Sequence, residues 1–131
     1  MARKSKLTKL VTDFHKAREL RVGVPYNEKE MITRIRLITE EVEEFAQACM
    51  DIAGLDPEKT TGMHHLKQHI LHELVDIVYT AIGTAVTFGW DFDEAFERIH
   101  KANMNKTDEQ LDGKIVKPED FEAADLEGLC E

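Results

Sequence analysis

Two pairs of carboxylates stand at matching distances from one loop, and that arrangement restricts this chain to an antiparallel pair of helices. Glu41 and Glu44 are three residues apart, and so are Glu73 and Asp76. On a helix that spacing puts both members of a pair on one face. Glu44 lies 10 residues before Gly54, and Glu73 lies 11 residues after Gly62. At about 1.5 Å of rise per residue, an antiparallel hairpin brings Glu44 and Glu73 within about 2 Å of the same height, and Glu41 matches Asp76 in the same way. Carboxylates held this close repel one another unless a cation sits among them.

The helices themselves follow from apolar periodicity. Leu7, Leu10, Val11 and Phe14 form the amphipathic face of a first helix starting near Ser5, with Gly23 and Pro25 punctuating its end. A second helix opens at Asn27-Glu28-Lys29-Glu30, a capping box of the Asn-x-x-Glu kind. Its stripe of Met31, Ile35, Ile38, Val42, Phe45, Cys49 and Ile52 has 4-3-4-3 spacing and predicts a long packing seam. Glu41 and Glu44 flank that stripe, Glu40 lies farther round, and Glu43 points nearly away. The stretch from Gly54 to Gly62, with Asp56-Pro57 inside it, reads as a helix–helix connection.

The third helix, running to about Phe88, is apolar over more than half its circumference, as befits a helix central in a bundle or shared with a second subunit. Its narrow polar face carries His69, Glu73, Asp76 and Thr80, and charged groups there need partners. Gly89 ends it, and Asp91-Phe92-Asp93-Glu94 caps a fourth helix. From about Asn105 the chain turns polar and irregular, with a turn at Asp112-Gly113 and no convincing strand. The expected fold is all-α, an antiparallel bundle of four to five helices in a single domain spanning residues 1–131, completed by dimerisation.

A net charge of −9 argues against general nucleic-acid binding. The charge is uneven: residues 1–21 hold seven Lys/Arg against two Asp/Glu, and residues 108–131 hold two Lys against nine Asp/Glu. The basic start could touch an anion or a neighbouring subunit, but reads more simply as a solvated tail. Cys49 and Cys130 are the only cysteines, which fits a reduced, cytoplasmic protein without a disulfide framework. No signal region follows the basic start, and no uninterrupted apolar run approaches membrane-spanning length.

Carboxylates without thiolates favour Mg²⁺, with Mn²⁺ as a substitute. Such ions neutralise polyphosphate oxygens and activate water. Lys101, Lys106, Lys114 and Lys117, with Asn103 as a further donor, could supply the cations a phosphate needs on its far side, on a segment able to close as a lid. The histidines offer a rival. His65, His69 and His72 fall at helical spacings that suit Zn²⁺, with Glu73 beside them, although surface histidines, or ones that orient a metal-binding carboxylate, explain them more simply. Glu97-Arg98-Ile99-His100 is a single Glu-x-x-His motif where a di-iron bundle uses two.

Glu40-Glu41-x-x-Glu44, a gap of 28 residues, then Glu73-x-x-Asp76 resembles the signature of the all-α nucleoside triphosphate pyrophosphatases. Asp76-Ile77-Val78-Tyr79, Phe88-Gly89-Trp90-Asp91, His100 to Lys106 and Asp112 to Pro118 are similar to the short MazG-like, phosphoribosyl-ATP pyrophosphohydrolase-like subgroup, which includes members acting on dUTP. The resemblance covers roughly residues 10–128. It implies a dimeric all-α enzyme that splits a nucleoside triphosphate into the monophosphate and pyrophosphate. It implies Glu41, Glu44, Glu73 and Asp76 as Mg²⁺ ligands, with Glu40 as a further ligand or the base that orients water. Asn103, Lys106 and Lys117 would hold phosphates, with Lys114 on the same segment, and Tyr79 would line the pocket. Phosphoribosyl-ATP hydrolysis and a non-enzymatic helical adaptor are the alternatives.

Overall fold

The computed structural model describes residues 4–54 and 60–131, apart from the side chains of Thr60 and Thr61. Asp56 and Pro57 of the expected connection lie outside the described residues. Four helices account for most of the described chain: α1 (Lys6–Ala17), α2 (Glu28–Ala53), α3 (Thr60–Phe88) and α4 (Phe92–Asn103). Both expected N-caps form, at Asn27 and Asp91, and Ser5 caps α1. The Ser5 hydroxyl accepts from Thr8 N at 3.2 Å, Asn27 Oδ1 from Glu30 N at 2.8 Å, and Asp91 Oδ1 from Glu94 N at 3.1 Å. The end of α1 comes earlier than Gly23 and Pro25 suggest. Glu19 takes up a left-handed conformation (φ 56°), and Leu20 N bonds back to His15 O at 2.8 Å.

The expectation of no strand needs correcting. Gln110–Leu111 (β1) and Lys114–Ile115 (β2) pair antiparallel, Gln110 opposite Ile115 and Leu111 opposite Lys114. The turn is Asp112-Gly113, with φ of 51° and 78°, the pattern of a two-residue hairpin. Strands of two residues are too short to leave a periodic signature, so only the turn was legible.

Helices α2 and α3 pack along their lengths as an antiparallel hairpin, and α1 lies against the second half of α3. The core is Val11, Ile82 and Val86, flanked by Tyr79 and Phe92. The apolar stripe of α2 does not form a continuous buried seam, because Ile35 is 55% exposed and Val42 45%. The buried residues on α2 are instead Arg34 and Ala48, with half-buried Glu41 midway between them on the same face. On α3, Leu71, Leu74, Val75 and Val78 are exposed too, so one chain leaves much of its apolar surface uncovered.

Arg34 fixes the register of the hairpin. Its Nη2 donates to Thr80 O at 2.8 Å and its Nε to Thr84 Oγ1 at 3.1 Å. Burial pulls its pKa below the usual arginine value, against the opposing field of Glu30. Gly83 makes room for this contact, since a Cβ there would stand 2.6 Å from Arg34 Nη2 and 2.9 Å from His15 Nε2.

The start of α1 and the acidic C-terminal segment are both tied to α4. Asp93 accepts from Ser5 N at 3.0 Å and Thr8 Oγ1 at 2.8 Å, tying α4 to the start of α1. The acidic C-terminal segment folds back on α4, with Arg98 Nη1 donating to Asp125 O at 3.0 Å and Asp91 N to Leu129 O at 3.0 Å.

Residues Gly62–Phe88 of α3 are long and apolar enough to cross a membrane, with a mean hydropathy of 1.3, although the sequence shows no uninterrupted apolar run. Glu73 and Asp76 stand near the middle of that stretch. Each would cost on the order of 3 kcal/mol at a bilayer centre. Their place opposite the carboxylates of α2 is that of a bundle helix.

Burial works to raise the Asp93 pKa, but the hydrogen bonds from Ser5 and Thr8 outweigh it and hold the carboxyl below its usual range. A depressed folded-state pKa contributes stability that is complete above the unfolded value of about 3.9 and is lost as pH falls through the folded value. Asp93→Asn is therefore expected to cost about 1 kcal/mol at neutral pH, with a gap that narrows in acid, as read by urea denaturation at several pH values. A gap independent of pH would place the effect elsewhere than in the Asp93 charge.

Candidate metal centre

The hairpin register brings the acidic pairs together between α2 and α3. Donor atoms of Glu41, Glu44 and Glu73 lie within 4.8 Å of one another, and those of His72, Glu73 and Asp76 form a second such group. Glu73 belongs to both and is 6% exposed. Its position follows from the sequence of α3, where it falls on the one polar strip of a helix that is otherwise apolar. Glu41 takes the corresponding place on α2, one heptad after Arg34 and one before Ala48.

Two atoms show what this arrangement lacks. Glu41 Oε2 and Glu73 Oε2 are buried without a hydrogen-bond partner among the described residues. An unpaired buried carboxylate oxygen is costly unless it is protonated or bound to a cation. The Glu41 pKa is correspondingly raised, first by the burial of its carboxyl and then by the fields of Glu44, Asp76 and Glu73, with a hydrogen bond to Glu44 adding to the effect. Orphaned oxygens, clustered carboxylates and the absence of sulfur donors suit a hard divalent cation.

The other expected residues are distributed differently. Glu40 is exposed and stands outside both donor groups. Tyr79 packs edge-on against Phe14 at 5.6 Å between α1 and α3, and lines an apolar hollow with Leu7, Leu10 and Leu74. Asn103 ends α4 and is exposed. Lys106 and Lys117, far apart in sequence, converge on one ring, their Nζ atoms 5.8 and 5.4 Å from the centroid of Phe121. Lys114 is exposed on β2, and Lys101 pairs with Glu97 at 3.7 Å. Among the described residues, none of these lysines forms an ion pair with the acidic cluster. Among the described residues, Glu97 and His100 of the lone Glu-x-x-His motif belong to neither donor group.

Sequence reasoning did not assign Arg34 to the site, and it named His72 only for a rival zinc site. Arg34 is a buried cation seven residues before Glu41, and only that heptad offset on a helix face signalled it. His72 Nε2 lies 3.0 Å from Asp76 Oδ2, and the i,i+4 spacing was its signal. His69 Nδ1 stands 3.8 Å from Glu73 Oε1.

Replacing Glu41 by Gln removes one of the mutually repelling charges. Without divalent ions, Glu41→Gln is expected to melt a few degrees above the parent protein. Its gain in stability on adding Mg²⁺ should fall well short of the roughly 2.7 kcal/mol that a ligand at a hundred times its Kd confers. Differential scanning calorimetry with and without Mg²⁺ reads both effects. A lower metal-free melting temperature in the variant would mean that Glu41 stabilises the fold rather than opposing it.

A family model described as phosphoribosyl-ATP pyrophosphohydrolase matches residues 7–103, a span that takes in the four helices except Lys6 and both acidic pairs. No curated protein matches the chain.

Proposed function

Since the chain belongs to the phosphoribosyl-ATP pyrophosphohydrolase family, part of the all-α NTP pyrophosphatase superfamily, and so is a hydrolase of phosphoric anhydrides, we propose that it cleaves a nucleoside triphosphate between the α and β phosphates in a Mg²⁺-dependent reaction. The observation that carries the metal requirement is the pair of buried, unpartnered oxygens on Glu41 and Glu73. Family membership sets aside the non-enzymatic adaptor.

In this reading Glu41, Glu44, Glu73 and Asp76 hold Mg²⁺, or Mn²⁺ in its place. An ion held there would neutralise phosphate oxygens and lower the pKa of a water. Glu40, solvent-exposed beside Glu41, orients that water and takes its proton as the new P–O bond forms and the α–β bridging bond breaks, releasing pyrophosphate. Lys106 and Lys117, gathered over Phe121, offer one basic spot for the departing phosphates. Asn103 and Lys114 lie on the same segment and serve the same end.

A deoxynucleotide such as dUTP is the first substrate to test. Residues 104–131, with the β-hairpin and three of the lysines, lie beyond the matched region, which supports a substrate other than phosphoribosyl-ATP. The family description itself favours phosphoribosyl-ATP, and that compound is the second candidate. Pyrophosphate release from a panel of NTPs, dNTPs and phosphoribosyl-ATP is expected with Mg²⁺ and not with EDTA. Glu41→Ala and Asp76→Ala should each lower turnover by at least about a hundredfold while retaining helicity. Full activity in both variants would sink the assignment of the site.

The reading includes a homodimer. Leu7, Leu10, Leu74, Val75, Val78 and Phe96 are all more than 40% exposed and border two adjoining hollows of about 470 and 630 Å³. Apolar patches on that scale mark association surfaces. Val78→Asp is expected to shift the protein from dimer to monomer in sedimentation velocity; a parent protein that sediments as a monomer at micromolar concentration would remove the dimer from the proposal.

A further inference from the structure

We propose that the solvent-side end of the acidic cluster is a second cation site with mixed nitrogen and oxygen donors, formed by His72, Glu73 and Asp76. This site takes a borderline transition ion such as Co²⁺ or Zn²⁺ in preference to Mg²⁺. The inference rests on the metal reading of Glu41, Glu44 and Glu73, and extends it to a residue outside the carboxylate motif.

The geometry supports three donors around one point. The donor atoms of His72, Glu73 and Asp76 lie within 4.8 Å of one another. His72 Nε2 and Asp76 Oδ2 are 3.0 Å apart. Adjacent ligands of a six-coordinate ion bound at about 2.1 Å stand roughly 3.0 Å from each other, so these two atoms already have the separation of neighbouring ligands. The third donor comes from a buried side chain. Glu73 is 6% exposed, and its Oε2 has no hydrogen-bond partner among the described residues. Glu73 also belongs to the all-carboxylate group, which places it to bridge two ions.

A simple surface ion pair between His72 and Asp76 is the competing explanation. The two side chains are 69% and 37% exposed, and such pairs contribute little. That pair involves neither oxygen of Glu73, whereas a Glu73 donor atom stands within 4.8 Å of both side chains. The imidazole sets the preference, because Mg²⁺ is served by oxygen while nitrogen suits first-row transition ions. His69, with Nδ1 3.8 Å from Glu73 Oε1, borders the site from the preceding turn of α3 and stands outside the donor group.

The test is Co²⁺ and Mg²⁺ titration of the full chain by calorimetry, with visible absorption of bound Co²⁺ as a second readout. The parent protein, His72→Ala and His69→Ala are compared, with circular dichroism to confirm folding. The parent is expected to bind two Co²⁺ per chain. His72→Ala should lose one of them or weaken it about tenfold or more, with a changed Co²⁺ spectrum and Mg²⁺ affinity altered by less than about twofold. His69→Ala should keep both. If His72→Ala matches the parent in Co²⁺ stoichiometry and spectrum, His72 is not a ligand, although the acidic centre stands. Equal weakening of Co²⁺ and Mg²⁺ overturns the nitrogen-based preference. A parent protein that binds neither ion refutes this site together with the acidic centre on which it rests.

Discussion

The packing of α2 against α3 is organised around a repulsion. Glu41, Glu44, Glu73 and Asp76 are brought to one height, two of their oxygens are sealed from water, and Glu41 responds with a raised pKa. Left alone, such a cluster pushes the helices apart. The hairpin is held from beyond that point by Arg34, which bonds to Thr80 and Thr84 and so aligns the helices two turns from the carboxylates. Arg34 fits because Gly83 has no side chain, and His15 closes the same space from α1 with its Nδ1 3.0 Å from Arg21 O. The glycine, the arginine and the acidic cluster thus form one mechanical sequence, in which a small residue on α3 sets the height at which carboxylates on α2 meet their counterparts.

This design leaves the isolated chain thinly cored. The residues facing inward on α2 are an arginine, a glutamate and an alanine rather than a row of large aliphatics. Fully buried apolar side chains gather instead at the junction of α1 with the end of α3, at Val11, Ile82 and Val86. Stability and chemistry are therefore separated along α3. Its second half, from about Tyr79 to Phe88, anchors the fold, while the turns carrying His69 to Asp76 present polar groups. A site that accepts destabilising charge benefits from a rigid support at one end of the same helix.

The C-terminal segment serves positioning more than a composition rich in acids suggests. Its acidic residues do not repel it into solvent, because Arg98 captures two of its carbonyls and Leu129 closes on Asp91. Between these anchors in sequence lies the β-hairpin. Lys106 lies before the hairpin and Lys117 after it, and both settle on the face of Phe121. Two cations of like charge are thereby kept in one neighbourhood by an aromatic ring.

By itself, the sequence determined the helical fold class, two of the N-caps, the antiparallel pairing of α2 with α3 and the meeting of the acidic pairs, while leaving the helix count at four to five. All of these depend on local periodicity or on equal distances along two straight helices, quantities that can be counted in residues. The tertiary structure alone decided that Ile35 and Val42 face outward in the single chain while Arg34 lies inside. Both sets satisfy helical spacing, and only the contact with Gly83, 49 positions away, distinguishes them. It also decided that Lys106 and Lys117 share Phe121, that Tyr79 joins the α1–α3 core, and that His72 stands beside Asp76 at the edge of the buried Glu73. Those outcomes depend on which surfaces remain free after the helices pack, and no count along the chain contains that information.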